Sequence, residues 1–500
     1  MRFRWADIPA AAAGSLLLPA LVLATGVLAG MATAVVGSMA GYRAIYYIAI
    51  LGLIAIGGTV AVTRKEPLRF VFLSLIACFP VAYALVPPGR VGLSVFDLVM
   101  VLLTIGLIGK RLFGPAAARE PIFPTASLLV AWLIAIPCVV FSQFPWLSLQ
   151  VFIVNFALYA FFLYSLDEMR REGGLERLVL LWSTVLLFMA AGLFIDHFLH
   201  VNLSLRGGNS NQLTYAAGME IYRAGGFFQD PQKGGAFLSC LITFLFLLSV
   251  RGRFRGMQLR FVVWAAIAAG SAALVTTVSR SAILACLLVP GLALFAFNRW
   301  NAGAKLALTG CMMLAVIVMA LLPIDTWLNY VPAAVTQRFA SLRADFEIRR
   351  DIWFDTWNMF ASHPLTGIGP GSFQRYLIET QPTVFNYYGI GEAEGFAYIP
   401  DQPESGYLKI LYEGGILWSA AALLVVADAL RRAAGVIADS RADADARTES
   451  IAAVAALVNF GLTFVTLATT ADVRIAALFA FMLAVIWHRS LARGRTRAQR

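Results

Sequence analysis

The run Phe261-Val-Val-Trp-Ala-Ala-Ile-Ala-Ala-Gly-Ser-Ala-Ala-Leu-Val-Thr-Thr277 is followed, after only Val278-Ser-Arg-Ser281, by a second, Ala282-Ile-Leu-Ala-Cys-Leu-Leu-Val-Pro-Gly-Leu-Ala-Leu-Phe-Ala-Phe-Asn298. Neither run alternates apolar with polar residues, as a barrel strand would. Each approaches the roughly 20 helical residues needed to cross about 30 Å of hydrocarbon. The pair reads as two membrane-spanning helices joined by a very short link, and the link holds an arginine. Comparable runs recur along the 500 residues, of which 60% are apolar and 13% charged. A soluble domain carries about 25% charged residues, so this chain has too little polar surface to cover a globule in water. The fold class expected is all-α: a single polytopic integral membrane domain over residues 1–500.

Working outward, the apolar blocks predict about 14 transmembrane helices: 10–34, 44–62, 70–86, 93–109, 126–142, 150–166, 176–199, 235–250, 261–277, 282–298, 304–322, 407–430, 450–469 and 473–488. Arg2 and Arg4 before the first block suggest a signal peptide, but the block is about twice the usual 7–15 residue signal core. It reads as a retained helix. With the N-terminus cytoplasmic, 26 of the 39 lysines and arginines fall on the cytoplasmic side. The short segments of the other side hold five: Arg43, Arg90, Arg280, Lys409 and Arg474. Positive residues are retained inside and are counted over short loops, so both termini are expected in the cytoplasm. The net charge of +11 lies mostly on that rim and on the tail Arg489, Arg493, Arg495, Arg497 and Arg500; it needs no nucleic-acid partner.

The five cysteines (Cys78, Cys138, Cys240, Cys286 and Cys311) all fall inside apolar blocks without a C-x-x-C pair. Such cysteines behave as small hydrophobes, and neither a disulfide nor a metal is expected of them. No internal repeat stands out, and the Ala/Arg/Asp-rich stretch 431–449 reads as a solvated cytoplasmic loop.

Chemistry has room in two long outer loops, 200–234 and 323–406, because loops this long tend to be functional or disordered, and these contain aromatics and glycine turns. In the second, Asp345-Phe-Glu-Ile-Arg-Arg-Asp-Ile-Trp-Phe-Asp-Thr-Trp-Asn-Met-Phe360 predicts a helix ended by His363-Pro364. Trp353, Trp357 and Phe360 share one face, read as a packing face. Asp345 and Glu347 suit the positive end of the helix dipole. Gly367-Ile-Gly-Pro-Gly371 lacks the Gly-Lys-Ser/Thr ending of a nucleotide loop and follows no strand, so it reads as a backbone turn. Asp196-His-Phe-Leu-His200 places two histidines at i, i+3 without a further ligand, which favours packing over metal.

The outer cations are more informative. A charge held as near the hydrocarbon as Arg280 is costly and is a functional candidate by default. Arg223, Asp230 and Lys233 crowd a glycine-rich return to the membrane. Arginine's planar fork matches phosphate oxygens, so cations at headgroup level suit a lipid pyrophosphate. Glycosyl transfer from such a lipid needs the departing pyrophosphate stabilised and is helped by a base near the attacking hydroxyl. Candidates for the base are Glu404, Asp401, Asp230 and His363.

Four stretches resemble the family of O-antigen ligases and polymerases, C-type glycosyltransferase-like membrane proteins acting on undecaprenyl-pyrophosphate glycans. They are Arg223…Gly226-Phe-Phe-Gln-Asp-Pro231, Ser279-Arg-Ser281, Arg350…Trp353…Trp357…Met359-Phe…His363-Pro-Leu-Thr-Gly-Ile-Gly-Pro-Gly371 and Tyr407-Leu-Lys-Ile-Leu-Tyr-Glu-Gly-Gly-Ile416. The resemblance implies that Arg223 and Arg280 hold the pyrophosphate. Asp230, Lys233, Arg349, Arg350, His363 and Tyr407 are expected about the substrate, His363 at a position resembling the family's helix-ending His-Pro pair. Ligases of this kind carry a histidine a few residues before the Tyr-Leu step; here Glu404 stands about there, and a carboxylate also accepts a proton.

The expected function is a metal-independent, inverting glycosyltransferase at the periplasmic face of a bacterial inner membrane, polymerising O-antigen or exopolysaccharide units and needing no cofactor. Its partners would be an undecaprenyl-pyrophosphate-linked donor, a glycan or lipid-core acceptor, membrane lipid and a chain-length regulator. The alternatives are a ligase placing finished glycan on lipid A-core or a protein, a transporter or flippase, and a non-catalytic scaffold. Against transport, no paired broken helices mark a midplane site.

Overall fold

The computed structural model describes residues 66–77, 95–113, 121–200, 219–297, 342–380, 403–439, 442–467 and 472–498, together with 79, 203 and 214–216 and without 229 and 255. In chain order the helices are α1 (Pro67–Ala77), α2 (Val95–Phe113), α3 (Ala126–Val140), α4 (Pro145–Met169), α5 (Gly174–Leu199), α6 (Pro231–Val250) and α7 (Met257–Thr276). They continue as α8 (Arg280–Phe297), α9 (Leu342–Ser362), α10 (Phe373–Thr380), α11 (Gly406–Ala438), α12 (Ala444–Phe464) and α13 (Val473–Ala498). Among the described residues, one small hairpin departs from the all-α expectation. Its strands β1 (Thr214–Ala216) and β2 (Met219–Ile221) pair antiparallel with Thr214 opposite Ile221.

Among the described residues, seven helices are long and apolar enough to cross a membrane: α4, α5, α6, α7, α8, α11 and the first 20 residues of α13. Each coincides with an expected span. Spans 10–34, 44–62 and 304–322 lie outside the described residues, as does Asp401. The other four expected spans meet shorter or more polar helices. α1 and α3 have 11 and 15 residues, α2 carries Asp97, Lys110 and Arg111, and α12 opens with Asp445. α6 begins at Pro231 rather than 235, because Asp230 accepts the Gln232 N–H at 2.8 Å and proline fills the first helical position.

The helices pack α5 on α7, α3 on α11, α6 on α12 and α4 on α13. Trp182, Phe237, Phe161 and Phe481 fill the centre. Large side chains such as Phe261, Leu287 and Leu102 face outward, as a bundle solvated by lipid allows. α12 presents Ala452, Ala453 and Ala456 to its neighbours, and Asn459 bonds Ser239 at 2.8 Å and Thr243 at 3.0 Å on α6. Small residues and interhelical polar bonds are how helices associate without a hydrophobic drive.

One end of the bundle is a rim of ion pairs. Arg69 and Arg177 bind the buried Glu168 at 2.6 and 2.8 Å, Arg171 binds Glu66 at 2.8 Å, and Arg111 reaches Asp167 at 3.3 Å. Arg253 joins Glu176 at 2.8 Å and the buried Glu449 at 2.5 Å, and Arg489 also binds Glu449. These pairs connect segments that the charge pattern assigns to one side.

Candidate active site

At the opposite end, the strap Tyr222–Phe228 lies across the link between α7 and α8. Ala224 N–H donates to Thr276 O at 3.1 Å, and Arg223, only 2% exposed, donates from Nε to Thr277 O at 3.3 Å. Arg280 is the first residue of α8, directly after the link. The approach is close because Gly235 leaves no side chain between α6 and Ser279, whose Cβ would lie 2.8 Å from a Cβ there. Arg223 is thus held at the link, bonded to Thr277, which lies 54 positions along the chain and three residues before Arg280.

Among the described residues, the non-glycine positions with left-handed φ are His200 (53°), Val278 (50°) and Glu404 (52°), all at this end. A β-branched valine there costs about 1–2 kcal/mol. Such strain persists only where surroundings enforce it, and it clusters at functional sites. The Thr277 hydroxyl supplies part of that enforcement, donating to Leu274 O at 2.7 Å and accepting the Ser279 N–H at 3.3 Å. The N-termini of α6, α8, α11 and α13 also converge here, with helix dipoles that favour anions.

The sequence reading counts Arg474 only as an outer charge and passes over Asp472, yet both lie at this end of the bundle. Both are buried and paired doubly, Nε to Oδ1 at 2.9 Å and Nη2 to Oδ2 at 2.7 Å. Arg474 Nη1 also donates to Phe227 O at 2.7 Å, and its guanidinium lies 3.7 Å from the Phe228 ring centre. Burial pushes the Asp472 carboxyl up, but Arg474 and Lys233 outweigh it and hold it below the usual range. Lys233 is therefore in the same electrostatic field. The signal available in sequence was a charged pair in a very short link between two apolar runs, the property that singled out Arg280.

On the α5 side, the buried Asp196 accepts the Gly225 and Gly226 N–H groups at 2.8 and 2.7 Å, and the Tyr222 hydroxyl as well. His197 and His200 make ring contacts with Tyr222, His200 at 4.3 Å, which is packing. Among the described residues, no three His, Cys, Asp or Glu side chains gather as metal ligands would. Cys138, Cys240 and Cys286 are free thiols.

The large loop docks on a break in α11. At Gly415 (φ 63°, ψ −162°) the helix opens, and the loop takes up the interrupted backbone bonds. Ile368 and Gly369 donate to Tyr412 O and Glu413 O at 3.2 and 2.8 Å, while Ile416 and Leu417 donate to Pro364 O and Leu365 O at 2.9 and 3.1 Å. The Cys138 thiol donates to Gly414 O. Glu413 adds its carboxylate, accepting Gly371 N–H at 2.9 Å and Phe373 N–H at 3.2 Å, with Lys409 at 3.5 Å. Gly367, Gly369 and Gly371 all have positive φ, and a side chain on Gly369 would run into Ser142 and Ser148. The glycine stretch is thus the backbone turn its sequence suggests, and its purpose is docking.

α9 spans Leu342–Ser362, around the expected helix, but its buried row is Ile352, Thr356 and Met359. This corrects the reading of Trp353, Trp357 and Phe360 as the packing face. Met359 enters a small core with Ile368, Phe373, Leu377 and Tyr412, which leaves the aromatic row partly outside, with Trp357 52% exposed. Arg350 is exposed on α9, and Arg349 stands beside it in the chain. His363 is engaged at both nitrogens, by the Gln143 amide at 2.8 Å and Ser362 Oγ at 2.9 Å, and so ties the end of α9 to the start of α4. Asp230 caps α6. The Tyr407 hydroxyl donates to Gly461 O at 3.0 Å while half its ring stays exposed. Glu404 is half-buried just before α11, which abuts α12 where Gly406 meets Phe464.

A helical membrane bundle with buried and interfacial arginines at one end, capped by a docked helical loop, is the class of molecule these features define. Residues 265–423 match the family model of O-antigen ligase. The match spans the arginine link, α9, the glycine turn and the break in α11; the 223–231 strap and the Asp472–Arg474 pair lie beyond it. Over this segment the chain is similar to O-antigen ligase. No curated protein matches the chain.

Proposed function

We propose that this protein is an inverting glycosyltransferase that polymerises O-antigen or exopolysaccharide repeat units carried on undecaprenyl pyrophosphate, at the periplasmic face of a bacterial inner membrane. The observation that carries this reading is the strap that holds Arg223 against the link opening α8 at Arg280. An acceptor hydroxyl attacks the anomeric carbon, the bond from that carbon to the pyrophosphate oxygen breaks, and the configuration inverts. The departing negative charge falls to the two arginines, and the hydroxyl proton goes to Glu404. Arg349, Arg350, Asp230, Lys233, His363 and Tyr407 would line the path of the glycans, the last four while also serving the structural roles described above. The test is reconstitution. The purified chain in liposomes with an undecaprenyl-pyrophosphate-linked glycan should yield a ladder of polymer, and no ladder from an active preparation of donor would sink the reading.

A ligase is the second reading, favoured by the description of the matching family. It predicts a single transfer to added lipid A-core in place of a ladder. A chain-length regulator would accompany a polymerase only.

Two further results are expected. Reporter fusions after residues 255 and 440 should signal cytoplasm, and fusions at 215 and 380 periplasm. A cytoplasmic signal at 380 would put the arginine site on the wrong side of the membrane. Turnover should also be undiminished in chelator, because the arginines take the leaving-group role that a divalent ion would otherwise fill. Activity lost in chelator and restored by a divalent ion would count against the mechanism.

A further inference from the structure

Asp196 takes no part in the transfer chemistry above, yet its side chain is fully buried at the end of α5. Its Oδ2 accepts two consecutive backbone N–H groups, Gly225 and Gly226, and its Oδ1 accepts the Tyr222 hydroxyl. Burial, and then the carboxylate itself, hold the Tyr222 proton well above its ordinary range. Three donors from five successive residues meet one carboxylate, and those five residues bracket Arg223. The turn contains the permissive pair Gly225-Gly226, with Gly226 at φ 57°. It also sits tightly on α5, where a Cβ on Gly226 would lie 3.1 Å from Leu193. Buried N–H groups left without an acceptor are costly, so the turn keeps this shape only while an acceptor stands at position 196.

We propose that Asp196 is the positioning residue that fixes the Tyr222–Gly226 turn, so that Arg223 presents its guanidinium at the α7–α8 link in the geometry that binds the pyrophosphate of the lipid donor. This rests on the reading of Arg223 as a pyrophosphate-binding residue. Recognition by a planar fork is directional, and a displacement of about 1 Å in a positioning element is enough for a large loss. Asp472 and Arg474 hold the far side of the same strap at Phe227 and Phe228, so the turn is gripped from α5 and from α13.

The test titrates the full chain in nanodiscs with glycan-free undecaprenyl pyrophosphate and compares Arg223→Ala, Asp196→Ala, Asp196→Asn and Tyr222→Phe. Arg223→Ala and Asp196→Ala should each weaken binding about tenfold or more. Asp196→Asn should stay within about threefold, because the amide oxygen can accept both glycine N–H groups while its NH2 donates to the Tyr222 oxygen. In turnover, Asp196→Ala should raise the donor KM by at least as much as it lowers kcat. A purely structural residue would instead lower the thermal midpoint and the yield of active protein at unchanged KM, and that result overturns the proposal. Wild-type binding by Arg223→Ala defeats the pyrophosphate reading itself. Loss in Arg223→Ala with wild-type binding by Asp196→Ala defeats only the positioning role, as does an Asn variant as weak as the Ala. Should Asp196→Ala fail to accumulate, Tyr222→Phe replaces it, since it removes one donor and keeps the ring. Weakening of about threefold then supports the role, and wild-type affinity overturns it.

Discussion

Arg280→Ala is expected to lower polymer formation by about 10²–10³-fold, the usual scale for removing one group that stabilises charge developing on a leaving oxygen. The protein should stay in the membrane at normal abundance. Arg280 is half-buried at the first position of α8, and alanine is a good helix former there. The measurement is the polysaccharide ladder from cells or liposomes, normalised to membrane-bound protein. Arg280→Lys should rescue poorly, because lysine offers a point charge without the bidentate fork. The same loss is expected for Arg223→Ala, where the buried guanidinium also holds Thr277 O, so Arg223→Lys is the more informative variant. Near-normal polymer from Arg280→Ala would make that residue a snorkelling anchor, its stem in the hydrocarbon and its head among the lipids.

The sequence singles out Arg280 and Arg223 and passes over Asp196 and the role of Arg474, for a physical reason. Arg280 announces itself locally, since a charge in a four-residue link between two apolar runs has a cost that the sequence alone reveals. The spans follow from length and apolarity, and the helix at Leu342–Ser362 follows from its periodicity. Its buried row fell one step away from the aromatic row because the small core around Tyr412 takes up Met359; a helix face can be read from sequence, but its partner cannot. Asp196 works through backbone N–H groups 29 and 30 residues away, which carry no side-chain signature. The docking of Pro364–Gly369 on the broken α11 is of the same kind. The glycines marked a turn, but the exchange of backbone bonds with residues 412–417 depends on a tertiary approach. Arg474 lies between these cases. It has the local signal of a charge in a short link, but its bond to Phe227 is long-range.

Glu404→Gln should cut turnover by about 10²–10⁴-fold, the usual worth of general-base assistance, while donor binding stays largely intact. The amide keeps the shape and most of the hydrogen bonding of the carboxylate but cannot take a proton. One observation favours this residue as the proposed base. It is held half-buried at φ 52°, a backbone conformation that costs a non-glycine residue energy and that surroundings must enforce. His363 is held at both ring nitrogens, so its proton has partners before any acceptor arrives. Glu404→Gly separates strain from chemistry: glycine relieves the left-handed backbone, so stability should hold or rise while activity is lost. Glu404→His is the sharper variant, since it installs the residue that ligases resembling this chain carry near this point. If His supports turnover and Gln does not, accepting a proton is the role. If Gln turns over like wild type, Glu404 is a loop carboxylate and the hydroxyl proton leaves to solvent. The reaction would then depend on charge stabilisation at Arg223 and Arg280 alone, and its rate should show no dependence on a carboxylate ionisation across the acid limb of the pH profile.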